Sequence, residues 1–312
     1  MREQLPLGVD PETGESFGSV CLRSLRPFDL NMHWLRRVLG LSYSAHPTRD
    51  DALSLAYLLQ ASPTWFTREL PSRATGNPFS CDYGGQRFLA PAHLKFRNPQ
   101  ICPACVHARG YCLKVWDLSL FTVCPIHERP LVDGCRRCER PLSWNRPAID
   151  VCSCGRAFSA PPSEQVSGAE SFIAGAIDAH MCGNPFLPTS FEGHGLPGLL
   201  ADLSLNALLF ALQAFGEVAG PHQRTPPAAT TKARDSACWR EILSRACTRL
   251  SLMGDGQKDF ELLSSVVSEV ILTRVSRHSL KTADTQVGKV LSRSVFGRGK
   301  ELPTSDQMEL FQ

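Results

Sequence analysis

Eight of the thirteen cysteines lie between residues 102 and 154. Seven of them and one histidine form four close pairs, which are Cys102 with Cys105, Cys124 with His127, Cys135 with Cys138, and Cys152 with Cys154. A pair separated by one or two residues places two ligands on one side of a metal ion, and a second pair closes a tetrahedron around it. The spacing therefore predicts two complete four-ligand zinc sites, one with three cysteines and a histidine and one with four cysteines.

Other kinds of cysteine chemistry account for fewer features of this pattern. Disulfides conflict with the close spacing and with the cytoplasmic location that the rest of the chain indicates. A redox-active pair needs only one Cys-x-x-Cys and leaves the other pairs unexplained. An iron–sulfur cluster could use four cysteines, but the histidine and the paired spacing favour zinc. Because a catalytic zinc keeps one position open and each set here supplies four ligands, we expect two structural Zn²⁺ ions and no catalytic residue.

The remaining sulfur and imidazole groups have less distinctive spacing. Cys112 lies inside the first loop, and we expect it to be a small buried side chain because the four-ligand set is complete without it. His107 could substitute for a ligand, but its position just after Cys105 favours an exposed side chain. The other cysteines are scattered and are expected in the core; they are Cys21, Cys81, Cys182, Cys238 and Cys247.

The segment that carries the cysteines is also the basic part of the chain. Residues 95–158 hold ten basic and five acidic side chains, although the whole chain has a formal charge of only +3. These cations could contact nucleic-acid phosphates, or they could balance the thiolates and solvate a small domain. The first interpretation assigns phosphate contacts to seven residues, which are Arg97, Arg109, Lys114, Arg136, Arg137, Arg140 and Arg146.

Several short amphipathic helices are predicted before the cysteines. The spacing of apolar residues indicates helices within 16–26, 28–41, 49–60 and 62–70. Asp29 or Asn31 is expected to cap the second of them and Gly40 to end it. Ser62 is expected as the cap of the fourth, with Pro63 at its first position. These tight breaks favour a compact bundle of helix-turn-helix character, an arrangement that serves protein contacts as well as DNA binding.

A second helical region is predicted after the cysteines. Helices are indicated in 170–180, 202–215, 237–252 and 259–277, with linkers at 159–168 and 219–236 and a tail from residue 297. The helix at 259–277 carries an apolar stripe whose members are Phe260, Leu263, Val267, Val270 and Ile271.

These patterns together predict a mainly α-helical fold with small β-hairpins. The hairpins are expected within the cysteine-rich segment, where "KVWDLSLFTV" alternates apolar and polar residues and is rich in strand-forming types. Three domains follow: an N-terminal helix-turn-helix-like domain in 1–94, a tandem zinc-ribbon or knuckle module in 95–158, and a C-terminal helical domain in 159–312.

The ends and the hydropathy of the chain bear on its location. The first residues, "MREQLPLGVDPETGES", are polar and lack the apolar core of a signal peptide. The most apolar stretch, 207–215, is much shorter than the roughly 18–20 residues that span a bilayer. We therefore expect a cytoplasmic protein without membrane contact.

The cysteine-rich string resembles the TniQ family of transposition accessory proteins. The shared pattern is CPxC, then a Gly-Tyr and a Trp, then CPxH, a Leu and CxxC, and all of these stand in that order in "CPACVHARGYCLKVWDLSLFTVCPIHERPLVDGCRRCERPL". The earlier segment "SVCLRSLRPFDLNMHWLRRVLGL" is also similar to the N-terminal part of that family. The similarity covers residues 15–160 and is only general beyond them.

The resemblance implies a target-selection adaptor of a large transposon that uses an AAA+ ATPase and a DDE transposase. Proteins of this family either bind an attachment site in target DNA or dock, as a homodimer, on an RNA-guided CRISPR effector with its guide RNA. In both cases they then recruit the ATPase that brings in the transposase. The resemblance also carries over the seven paired cysteines and His127 as zinc ligands.

Two classes of function remain open from the residues. The first is the non-enzymatic adaptor, which agrees with the lack of a Gly-rich phosphate loop, a recognisable carboxylate trio or a nucleophile next to a base. The alternative is a site-specific zinc-finger or helix-turn-helix protein that acts directly on target DNA. An enzyme such as a zinc-dependent nuclease is the least favoured interpretation.

Overall fold

The computed structural model describes residues 4–40, 49–73, 80–96, 98–159, 166–217, 235–254, 260–277 and 281–297. The chain divides into two compact units. The first comprises Met1–Ser167, Ser171–Asn184 and Arg234–Trp239, and the second comprises Gly168–Glu170, Pro185–Ala233 and Arg240–Gln312. The predicted boundary at residue 94 falls inside the first unit, so the division into three domains stays a prediction. Both predicted linkers lie mostly outside the described residues.

Twelve α-helices lie within the described ranges. They are α1 (Phe17–Leu25), α2 (Met32–Leu39), α3 (Arg49–Leu58), α4 (Pro63–Glu69), α5 (Pro103–Arg109), α6 (Gly168–Met181), α7 (Pro188–Glu192), α8 (Leu205–Gly216), α9 (Ser236–Gly254), α10 (Phe260–Val266), α11 (Glu269–Arg277) and α12 (Thr282–Phe296). Short 3₁₀ turns add to them at Arg26–Phe28, Pro91–His93, Lys114–Asp117 and Gly198–Asp202.

Among the described residues of the first unit, five short strands form two small antiparallel sheets. The strands β1 (Ser72–Arg73), β2 (Cys81–Tyr83) and β3 (Gln86–Phe88) make the first sheet in that order. The strands β4 (Val123–Cys124) and β5 (Arg129–Pro130) pair in a hairpin in which Cys124 lies opposite Arg129. The predicted fold class, mainly α with small β-hairpins, is therefore confirmed.

The helix ends in the N-terminal region follow the predicted capping residues. The Asn31 side chain accepts a hydrogen bond from the Trp34 amide at 3.0 Å, which identifies Asn31 rather than Asp29 as the cap of α2. Gly40 ends that helix with a φ of 70°, a left-handed conformation that glycine adopts without steric cost. Ser62 caps α4, and Pro63 occupies its first turn.

Helices α1 to α4 enclose one apolar core in the first unit. Val20, Leu25, Leu55 and Phe66 have almost no exposed surface, and α3 packs against α4. Burying a side chain of this size contributes about 1.5–3 kcal/mol relative to leaving it exposed. This core fixes α1, which in turn contacts the cysteine-rich segment.

The cysteine-rich segment is hydrogen bonded to the start of α1. The Ser16 amide donates to the Cys112 carbonyl at 2.9 Å, and the Cys112 amide donates to the Ser19 hydroxyl at 3.0 Å. Gly18 lies so close to the Trp144 indole that a Cβ atom at this position would overlap the ring. The N-terminal helices and the cysteine-rich segment therefore pack as one body within the first unit.

The second unit is built around α8, whose residues are buried on nearly every side. Helix α11 packs against α8 and α12. The Asp284 carboxylate accepts hydrogen bonds from the backbone amide and the hydroxyl of Ser204, both at 2.6 Å, and so holds the start of α8. The Arg249 guanidinium donates to backbone carbonyls of Phe215 and Glu217, where α8 ends.

The structure differs from the predicted elements at several points. The segment "KVWDLSLFTV", predicted as strand, begins as a 3₁₀ turn, and only its last residue, Val123, lies in the β4–β5 hairpin. The helix predicted over 259–277 is two helices, because the Ser268 amide donates to the Ala214 carbonyl instead of continuing the helical ladder. Helices α5, α7 and α12 were not predicted.

None of the helices in the described part of the chain combines the length and the apolar character that crossing a lipid bilayer requires.

Candidate metal centres

The first group of ligands is placed by the start of α5 and by the β4–β5 hairpin. Cys102 immediately precedes α5, and Cys105 lies in its first turn behind Pro103. Cys124 ends β4, and His127 lies in the turn that leads into β5. Because a helix start and a hairpin turn both present closely spaced residues on one side, each delivers two ligands to the same point.

The ligand atoms of this first group lie at the distances that a tetrahedral ion requires. An ion with Zn–S near 2.3 Å and Zn–N near 2.0–2.1 Å would separate two sulfurs by about 3.8 Å and a sulfur from a nitrogen by about 3.6 Å. The Sγ atoms of Cys105 and Cys124 are 3.6 Å apart. His127 Nδ1 lies 3.5 Å from Cys102 Sγ, 3.2 Å from Cys105 Sγ and 3.5 Å from Cys124 Sγ. Nδ1 is therefore the imidazole atom that faces the site.

The second group is placed by two tight turns. The turn from Cys135 is closed by the Glu139 amide, which donates to the Cys135 carbonyl at 2.8 Å. The turn from Cys152 is closed by Gly155, whose amide donates to the Cys152 carbonyl at 2.9 Å and whose φ is 81°. A residue with a side chain would be strained in that conformation, so glycine suits this turn.

The sulfurs of the second group have the same tetrahedral spacing. Cys135 Sγ lies 3.7 Å from Cys154 Sγ, and Cys138 Sγ lies 3.7 Å from Cys152 Sγ. In each group all four ligand atoms lie within 4.8 Å of one another. The two groups can therefore each hold a metal ion, and they follow one another along the chain as a tandem module.

Hydrogen bonds lower the pKa of one thiol in each group. Donation from the thiols of Cys105 and Cys124 lowers the pKa of Cys102 to about 3. Backbone amides of Cys138 and Arg137 lower the pKa of Cys135 to about 6. Metal ligation requires thiolates, and hydrogen bonding within each group favours the thiolate form of one of its cysteines.

A buried polar network braces the segment between the two groups. The Gln100 amide group donates to the carbonyls of Leu118 and Phe121 at 2.9 and 2.8 Å. The Asp133 carboxylate accepts from Lys95 Nζ at 3.1 Å and from the Ser236 amide at 2.8 Å. Burial alone would raise the pKa of Asp133, but Lys95 and Ser236 lower it below its usual value. These hydrogen bonds fix the chain on both sides of the first ligand group, at Gln100 before Cys102 and at Asp133 after His127.

The structure separates the seven predicted phosphate contacts into different environments. Arg109, Arg136, Arg137 and Arg140 are exposed. Arg97 lies outside the described residues.

Two of the seven are corrected by the structure. Lys114 is buried, and its Nζ lies 3.3 Å from the Glu69 carboxylate. Arg146 is only 4% exposed, and its guanidinium donates to the carbonyls of Ser143 and Ala148. A cation whose donors are already taken inside the fold does not offer them to a phosphate, so both residues have structural roles.

The cysteines outside the two groups follow the prediction only in part. Cys112, Cys21, Cys81 and Cys247 are buried, as expected. Cys182 is exposed and Cys238 is half-buried, so their assignment to the core was wrong. His107 is exposed, which agrees with the solvent-facing alternative.

No protein-family model matches the chain, and no curated protein matches it.

Arg156 and Phe158 were not singled out from the sequence, yet both line a cleft beside the second group. The excess of basic residues in 95–158 includes Arg156 and was the one signal that pointed toward it.

Proposed function

We propose that this protein is a non-enzymatic transposition targeting adaptor. In this role it links a target-site recognition complex to the AAA+ ATPase and the transposase of a transposon. The recognition complex is either an RNA-guided CRISPR effector, on which the protein docks as a homodimer, or attachment-site DNA. The proposal places the protein in the cytoplasm, where glutathione keeps its thiols reduced.

The observation that carries the proposal is that the folded chain brings the motifs of the TniQ-like string together into ligand groups. Its ordered CPxC, CPxH and CxxC elements, together with the later Cys-Ser-Cys, supply two four-ligand groups with tetrahedral spacing. The Trp between CPxC and CPxH, Trp116, is buried, with 1% of its surface exposed. The residues that carry the resemblance are thus the residues that organise this part of the first unit.

We propose zinc as the metal of both groups. Thiolate and imidazole ligands at tetrahedral spacing are typical of structural zinc, which would stabilise the fold and supply no reactive centre. Each group offers four protein ligands, so neither leaves a coordination position for water or substrate. This full ligand set supports a scaffold for partner proteins over a metal-dependent enzyme.

The direct DNA-binding alternative is supported by a separate observation. Arg136, Arg137 and Arg140 are exposed beside the second group and could contact a duplex without rearrangement. Binding through phosphates would weaken steeply with salt, with a slope of about −0.9 per phosphate contact on a logarithmic plot.

A reconstituted insertion assay tests the adaptor proposal. Donor DNA with transposon ends, the transposase and the AAA+ ATPase of the same transposon would be combined with the targeting complex, with and without this protein. We expect targeted insertion only when the protein is present, and we expect the purified protein to bind the ATPase. Equal targeting without the protein, or high-affinity attachment-site binding with no binding to the ATPase, would reject the adaptor and leave the DNA-binding alternative.

A further inference from the structure

A basic cleft lies beside the second metal centre. Its volume is about 460 Å³, which is within the range of about 300–1,000 Å³ that ligand pockets occupy. The residues that line it include three arginines, Arg136, Arg137 and Arg156, and one aromatic residue, Phe158. Among the described residues that line it, none has an acidic side chain.

The three arginines of the cleft are exposed and available for a ligand. Each is exposed to solvent, and within the described part of the chain none has a salt bridge or a side-chain hydrogen bond. This separates them from Arg146, whose donors are used inside the fold. Three guanidinium groups around one cleft favour an anion, and their planar donor geometry suits phosphate oxygens.

The second metal centre fixes the backbone on which these arginines stand. The Arg137 amide donates to the Cys135 sulfur, and the Arg156 carbonyl accepts from the Cys152 amide at 2.8 Å. The three arginines therefore lie in or next to two turns whose backbone is held by the cysteine ligands. A preorganised cation site loses less entropy on binding than one carried by free loops.

Phe158 gives the cleft an aromatic surface next to these cations. Its amide donates to the Asp150 carbonyl at 2.8 Å, and the Arg146 guanidinium lies 5.6 Å from its ring centroid. Phe158 is half-buried and is among the residues that line the cleft. An aromatic ring beside phosphate-binding cations is the arrangement with which proteins bind an unpaired base and its backbone.

We propose that this cleft binds single-stranded nucleic acid, with Arg136, Arg137 and Arg156 on the phosphates and Phe158 stacked on a base. A duplex would offer phosphates to the arginines, but its bases are stacked within the helix and would leave Phe158 without a partner. An acidic peptide would satisfy the arginines but would gain little from the aromatic ring. The proposal rests on the cleft alone and does not depend on the adaptor function.

Fluorescence anisotropy with the metal-loaded full chain tests the proposal. The probes are labelled single-stranded RNA and single-stranded DNA of about 12 nucleotides, the matching duplexes, and a poly-glutamate peptide. We expect single strands to bind more tightly than either duplex or the peptide, with a logarithmic salt slope of about −0.7 per phosphate contact. A comparison of the affinities for the two single strands shows whether the cleft prefers RNA or DNA.

Matched variants locate the binding. The double variant Arg137→Ala/Arg156→Ala should weaken single-strand binding by about tenfold or more and make the salt slope shallower. The control Arg37→Ala/Arg129→Ala removes the same charge from exposed arginines outside the cleft and should change the affinity less than threefold. Phe158→Leu keeps an apolar side chain and should weaken binding about fivefold or more, because base stacking is lost.

Metal content and thermal melting of each variant show whether it is folded. The proposal is overturned if single strands do not bind near 100 mM salt, or if the cleft and control variants lose the same affinity. It is also overturned if duplex or poly-glutamate binds as tightly as the single strands, or if Phe158→Leu has no effect. A protein that binds single strands through the cleft but recruits no ATPase would keep this inference and reject the adaptor.

Discussion

Asp117 is a buried carboxylic acid whose ionisation state affects the stability of the first unit. It is 3% exposed and accepts a hydrogen bond from the Tyr83 hydroxyl at 2.5 Å. Burial raises its pKa from 3.8 to about 7, although Tyr83 and Arg146 oppose this rise. A carboxyl with a raised pKa holds its proton more tightly in the folded state than in the unfolded state. Its contribution to stability is therefore complete below about pH 4 and is lost as pH rises through about 7.

Replacing Asp117 with Asn should remove this pH dependence. Between pH 6 and pH 8 we expect the wild-type free energy of unfolding to fall by about 1 kcal/mol more than that of Asp117→Asn, because only the wild type has to ionise a buried group. Urea unfolding at both pH values, with zinc present, measures the difference. Asp10→Asn, a change at an exposed carboxyl, should leave the wild-type dependence unaltered. Parallel pH profiles for wild type and Asp117→Asn would contradict this assignment.

Arg146 is a second residue whose role the sequence did not reveal. Besides two carbonyls, its guanidinium contacts Cys112 Sγ at 3.8 Å and lies 4.9 Å from the Trp144 ring centroid. In the sequence it is one more arginine in a basic segment. Its burial depends in part on contacts with Cys112 and Phe158, which are distant from it in the sequence, so no local pattern records it.

Arg146→Ala should destabilise the protein by roughly 2–4 kcal/mol, because it leaves buried carbonyls without donors and removes a stacked side chain. Arg140→Ala, at an exposed arginine of the same segment, should change stability by no more than about 0.5 kcal/mol. Chemical denaturation of the two variants provides the comparison. Similar small effects in both would mean that Arg146 is not part of the core.

At the scale of elements, the two metal centres should differ in what depends on them. Cys102, Cys105 and Cys124 are buried, and this group joins α5 to the β4–β5 hairpin. In the second group Cys138 is half-buried and Cys154 is exposed, and turns rather than helices carry the ligands. The first centre therefore supports the interior of the first unit, and the second supports a more peripheral lobe.

Cys102→Ser and Cys138→Ser should each lose one of two zinc ions, with different structural consequences. Structural zinc contributes on the order of 10 kcal/mol at neutral pH, so each variant should unfold what its ion supports. We expect Cys102→Ser to lose much of the helical circular-dichroism signal of the first unit and Cys138→Ser to keep it. Metal analysis and circular dichroism measure both effects.

The control for these ligand variants is Cys182→Ser, which removes an exposed thiol outside both groups. It should keep two zinc ions and the wild-type spectrum. Full metal retention in Cys102→Ser, or metal loss in Cys182→Ser, would show that the ligand sets are assigned incorrectly.

Elements with strong local signals were predictable from the sequence, and those set by tertiary contacts were not. Asn31, Gly40 and Ser62 mark helix ends through their own side chains or backbone freedom, and the structure follows them. The break near Ser268 arises from a hydrogen bond to Ala214, which is distant in sequence. Helix α12 did carry a signal, since Val287, Leu291 and Val295 recur every four residues and are buried.

At the scale of the whole molecule, the composition of the ligand groups was predictable and the surface around them was not. Metal-ligand pairs are visible in sequence because their spacing is dictated by coordination geometry over two to four residues. The cleft forms because Arg136 and Phe158, which belong to two separate segments of the chain, line the same cavity. This proximity is a consequence of folding, and residue type alone does not show which arginines stay exposed and which, like Arg146, are buried.

Native mass spectrometry of the full chain tests the central claim most directly, because it counts the ions bound by folded molecules. The claim is that two closed, four-ligand zinc sites form the scaffold of the first unit. We predict compact charge states that carry two zinc ions per chain, with both ions lost only on denaturation. A metal-free chain that keeps the compact charge states of a folded protein would contradict the account.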